Sequence, residues 1–200
     1  MTMMSEDTKA QLLAEHYRDS VAEIMAHVRF RDRLFALLLV LGTVVLFQLF
    51  APGLAAKIIT EFVRSRLAVA SAPDVSFVGG AIWFTFLAVL IRYFQTVIHV
   101  ERQYTYVHGL EDLLSAEYGG KAFTREGKTY LSRYPAFCEF ASWIYVWLFP
   151  AIVVLVAVEK VIHDLSAASR VDVLLVVNLG ISASILVAVA LYLLMIHFKR

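Results

Sequence analysis

"LFALLLVLGTVVLFQLFAPGLAA", residues 34–56, runs its whole length without a charged side chain. It is close to the roughly 20 helical residues that cross a bilayer core. Three more uncharged stretches follow, Val75 to Ile91, Phe140 to Val158 and Val173 to Phe198. The second is the shortest and reaches full length if Arg92 snorkels to the interface while the helix continues through Tyr93, Phe94 and Val97. Hydrophobic residues make up 60% of the 200, more than a soluble domain of this length hides in its core. The expected fold class is therefore an all-α integral membrane protein, with four transmembrane helices and the first two extended into a cytoplasmic helical stalk.

Orientation follows from basic residues. The segments 1–33, 101–140 and 199–200 hold twelve Lys and Arg, while the alternate loops hold Lys57, Arg64, Arg66, Lys160 and Arg170. The positive-inside rule then puts both termini in the cytoplasm of a bacterial inner membrane protein. The polar first 33 residues lack the pattern of a cleavable signal peptide, so the first span is expected to serve as the insertion signal. Cys138 is the single cysteine, which excludes an intramolecular disulfide or a cysteine zinc site.

Ser5 before Glu6 and Asp7 is a helix-start pattern. Leu13, Tyr17, Val21, Ile24 and Val28 then form one apolar stripe. With no Pro or Gly before Gly42, residues 1–33 and the span at 34–56 read as one rod ended by Pro52-Gly53. Residues 57–75 read as an outer interfacial segment. The second span, 76–98, continues inward through 99–139, with Val100, Tyr104, Val107, Leu110 and Leu114 as the matching stripe. The two inward helices are expected to pack antiparallel. The third span is placed at 140–160 with a kink at Pro150, an outer turn at 161–172, and the fourth span at 173–197. The turn "HDLSAASRVD" offers little chemistry.

"GKAFTREGKTYLSRYP", residues 120–135, contains Gly127-Lys128-Thr129, the end of a phosphate-binding loop. The glycine such a loop needs five residues earlier is Ala122, and a helix rather than a strand precedes it, so the motif fails. Two readings stay open. One is a connector whose basic residues lie under anionic headgroups. The other is a nucleotide or oligonucleotide site, in which Arg125, Lys128 and Arg133 meet phosphates while Tyr130 and Tyr134 stack on bases, with Arg102 and Tyr104 contributing.

In the spans, Asn178 and Ser182 lie one turn apart, as do Gly180 and Ser184, and Thr43 and Gln48 add polarity to the first. Such groups serve as helix glue or line a pore. No acid or charged pair is expected at midplane, which argues against a coupled transporter. His108 with Glu111 and Asp112 reads as a solvated helix face, and no second histidine stands at a metal-binding spacing, so neither a metal site nor a cofactor is expected. No nucleophile elbow or HExxH pattern points to an enzyme.

Taken with the long inward helices, "ERQYTYVHGLEDLL" and "REGKTYLSRYP" give the chain a layout that resembles small multi-span membrane effectors of bacterial antiphage systems. The likeness is to the SLATT-like kind, and more loosely to the membrane partners of nucleotidyltransferases in systems such as Hailong. This chain departs from the two-span SLATT layout by having four spans. The resemblance implies a homo-oligomeric membrane protein forming a gated pore or channel, controlled by a cytoplasmic nucleotide or oligonucleotide signal. The alternative is a non-conducting anchor whose cytoplasmic helices dock a protein partner.

Overall fold

The computed structural model describes residues 6–67, 75–117, 137, 140, 143–168 and 170–198. Its elements are α1 (Glu6–Phe50), α2 (Pro52–Leu67), α3 (Val75–Glu117), a π turn (Ile144–Leu148), α4 (Phe149–Ala167) and α5 (Val173–Phe198). Among the described residues, four segments are long and apolar enough to cross a membrane: α1, α3, α4 with its π turn, and α5. Every regular element among the described residues is helical, and the four apolar helices are those of a multi-pass membrane protein.

α1 ends where Pro52 removes a backbone donor. The chain leaves the helix for one residue, Ala51, whose N–H still donates to Phe47 O at 3.0 Å. Pro52 then opens α2 at a position that needs no N–H. A second proline marks another change of backbone. Pro150 stands in the first turn of α4, directly after the π turn. Its ring would clash with the carbonyl four residues back in a regular α-helix, and a wider turn there relieves the clash. The kink expected at Pro150 thus coincides with a change of helix type.

Two compact units are present. The first comprises Met1–Asp32 and Gln95–Trp143, the second Arg33–Phe94 and Ile144–Arg200. In the first, α1 and α3 run antiparallel, since His16 meets Tyr106 while His27 meets His99. Their apolar stripes face each other, burying Ile24, Val100, Val107, Leu110 and Leu114. Burial of each such side chain from water contributes about 2 kcal/mol. Glu111 departs from its sequence expectation: it is 5% exposed rather than solvated, and accepts a hydrogen bond from the Tyr17 hydroxyl at 3.0 Å.

In the second unit α1 and α3 are again antiparallel, with Phe35 against Tyr93 and Gly42 against Phe86. Phe149 of α4 packs on Phe35 and Tyr93, and Tyr192 of α5 stacks on Phe94 at 4.1 Å. Within a bilayer such contacts hold helices by close packing, because lipid supplies no hydrophobic drive between them. α4 continues to Ala167, so the turn expected at 161–172 narrows to the stretch between α4 and α5. The Lys160–Asp164 pair, one turn apart, belongs to the helix. Asp172 caps α5, its Oδ1 accepting from Leu175 N–H at 2.8 Å.

Two glycines of α3 differ in what surrounds them. A Cβ at Gly109 would meet nothing within 4 Å, whereas one at Gly80 would stand 3.1 Å from Asn178 Oδ1 and 3.3 Å from Leu174 Cδ1. Gly109→Ala is expected to stabilise the chain by up to about 1 kcal/mol through helix propensity. Gly80→Ala should lose that gain to crowding. Thermal midpoints in detergent check both, and a Gly80→Ala gain as large as that of Gly109→Ala would refute the crowding.

Candidate functional site

A cleft of about 490 Å³ opens in the second unit at the Ala167 end of α4. All five α-helices line it, α2 through Pro52 and Ala55. α1 contributes Gln48, α3 contributes Ser76 and Gly79, α4 contributes Lys160, His163 and Asp164, and α5 contributes Asn178, with Arg170 and Asp172 from the connector. From Lys160 to Ala167 the cleft covers about 10 Å of helix length. It is large enough for a small polar solute or several waters.

Asp164 is the hub of its wall. Both carboxylate oxygens accept from Lys160 Nζ, and Oδ2 also accepts from Asn178 Nδ2 at 3.2 Å. The pair is mostly withdrawn from solvent, with side-chain exposures of 12% for Lys160 and 13% for Asp164. Enclosure on that scale makes each charge depend on the other, since a lone buried ion costs several kcal/mol. His163 Nδ1 stands 3.7 Å from Asp164 Oδ1. The cleft residues Gln48 and Asn178 keep a buried donor, Nε2, and a buried acceptor, Oδ1, without partners among the described residues. A donor and an acceptor lining one cleft suit a ligand that both gives and takes hydrogen bonds.

One turn farther along α3 and α5 the polar groups are paired with one another. Trp83, fully buried, donates its indole N–H to Ser182 Oγ at 3.0 Å and stacks on Phe86. Ser182 in turn donates to Asn178 O at 2.9 Å. The glycines on α3 explain how the amides come so near: Gly79 lies against Gln48 Oε1 and Gly80 against Asn178 Oδ1, positions that a side chain would fill.

No protein-family model, curated protein or solved structure matches this chain. The site is therefore read from its own residues.

Of the residues singled out from sequence, Asn178, Gln48 and Ser182 come together in and beneath this cleft. Gly180, Ser184 and Thr43 do not. They are on exposed helix surface, Ser184 and Thr43 bonding backward to Gly180 O and Leu39 O. Arg102 is exposed on α3, and Tyr104, half-buried, lies 6.4 Å from His108 between ring centroids. Arg125, Lys128, Tyr130, Arg133 and Tyr134 lie outside the described residues.

Sequence reasoning missed His163 and Asp164 by assigning 161–172 to a turn of little chemistry, and counted Lys160 only as a basic residue of the alternate loops. The available signal was the Lys and Asp one turn apart at the end of an apolar run, with Asn178 on the next helix. It missed the His27–His99 pair for another reason: the two are 72 residues apart, and only the packing of α1 on α3 brings them together.

Proposed function

We propose that this chain is the subunit of an oligomeric membrane pore or channel, with the cleft as its polar vestibule. The observation that supports this reading is the placement of Gln48, Lys160, Asp164 and Asn178 around a common space between apolar helices. Polar and ionisable groups are costly there and commonly mark a path for ions or polar solutes. The layer of Trp83 and Ser182 closes the vestibule on its inner side and acts as the gate. Oligomerisation fits the first span, where only 17% of the most apolar stretch of α1 is buried, against 39% for α3. Its remaining surface is left for lipid or a second copy.

In this reading both termini are cytoplasmic, and a nucleotide or oligonucleotide acts through the basic aromatic connector around Arg125 to Tyr134. A role in bacterial antiphage defence rests on the resemblance of layout. A ligand gates only by binding the open and closed states with different affinity.

The test is ion or small-dye flux from liposomes containing the purified chain, with and without added nucleotides. Flux above protein-free vesicles, lowered by Asn178→Leu with Gln48→Leu, is the expected result. Joint replacement of Arg125, Lys128 and Arg133 by Ala should remove any nucleotide effect while leaving basal flux. Silence under every condition, together with a tightly bound protein partner, would instead establish the anchor that docks a partner through its cytoplasmic helices.

A further inference from the structure

In the first unit, α1 and α3 assemble three side chains with the chemistry of a metal site, apart from the cleft and from the pore reading. Glu23 and His27 lie one turn apart on α1 and His99 faces them from α3, with one ligand atom from each within 4.8 Å of the others. The imidazole rings meet edge to face, their centroids 4.6 Å apart. His27 Nε2 is 3.7 Å from Glu23 Oε1. We propose that Glu23, His27 and His99 bind a borderline divalent transition cation, of which Zn²⁺ is the type.

Two imidazoles and one carboxylate form a ligand set such ions use with a fourth position left to water. Bonds of about 2.0–2.1 Å in a tetrahedron put donors about 3.4 Å apart. The three atoms therefore have to close by at most roughly 1.4 Å. That movement is open to them, since the side chains of His27 and Glu23 are 34% and 61% exposed and His99 is exposed as well. Arg31, one turn beyond His27, is engaged by Asp32 at 2.8 Å, so it does not take the Glu23 charge. Gln103, one turn beyond His99, keeps a buried Oε1 without a partner among the described residues. It stands as an acceptor for the second N–H of a metal-bound imidazole, the usual outer partner of such a ligand. Mg²⁺ and Ca²⁺ prefer all-oxygen sites and should compete poorly.

The experiment uses the full chain in detergent, free of any polyhistidine tag and stripped of metal, titrated with Co²⁺. The expected result is a visible d–d band saturating at one equivalent per chain, erased by Zn²⁺ and untouched by excess Mg²⁺. His27→Gln and His99→Gln should each weaken Zn²⁺ binding by about tenfold or more, the scale seen even for outer partners of metal sites. His108→Gln should leave it unchanged. Because both imidazoles are partly exposed, the variants should keep the metal-free thermal midpoint, and His99→Gln should lose the upward shift that Zn²⁺ gives the parent. The proposal is overturned by the absence of the band in the parent chain, or by its survival in the His27→Gln/His99→Gln double variant.

Discussion

Trp83→Ala is expected to be the most damaging single substitution in the second unit. The side chain is fully buried, and its removal leaves a cavity among Phe86, Ser182 and their neighbours. Large-to-small changes of this kind cost about 3–5 kcal/mol. The indole N–H is lost with the ring, while Ser182 keeps Asn178 O as its own acceptor. Trp83→Phe separates the two effects: it fills most of the volume and should cost about 1 kcal/mol for the hydrogen bond alone. Equilibrium unfolding in mixed micelles reads both. A Trp83→Ala protein as stable as the parent would remove the packing claim. If the vestibule conducts, the same variant should also raise basal flux from liposomes, because the bulky layer that closes the path is gone.

Asp164→Leu is expected to have the second largest effect, for an electrostatic reason. It leaves the Lys160 ammonium enclosed without its counter-charge and deprives Asn178 Nδ2 of its acceptor. Breaking a buried pair from one side costs about 3–5 kcal/mol, whereas replacing both members by apolar residues is often neutral. The double variant Lys160→Met/Asp164→Leu should therefore regain most of the stability lost in the single one. A double variant as unstable as Asp164→Leu would show that shape, and not charge pairing, holds this end of the bundle. Flux distinguishes function from folding here. Under the pore reading it should fall in the refolded double variant, since the vestibule has lost its charges.

Much of the architecture was legible in local pattern. Uncharged runs of near-bilayer length located all four apolar helices, and the absence of Pro and Gly before Gly42 announced the continuity of α1. The stripe from Val100 to Leu114 indicated the buried face of α3 in advance. The end of α4 was less legible, because Lys160, His163 and Asp164 resemble loop composition until their pairing along one helix face is considered. The candidate site was only half visible. Asn178, Ser182 and Gln48 stood out as polar residues in apolar helices, but their convergence with Asp164 depends on how α1, α3, α4 and α5 meet. That is tertiary information, carried by close approaches such as Gly80 on Asn178 and by no single spacing.

The Asp172 cap on α5 has a consequence for how the connector before it tolerates change. A surface loop ordinarily accepts an added residue at little cost. Here the cap fixes the first turn of α5, and Asn178 sits at a set angle from it around the helix axis. One residue inserted between Asp172 and Val173 would either forfeit the cap or wind the helix by about 100°, swinging Asn178 off Asp164 and Ser182 off Trp83 together. The few residues joining α4 to α5 thus work as a phase key, in which chain length matters more than side-chain identity.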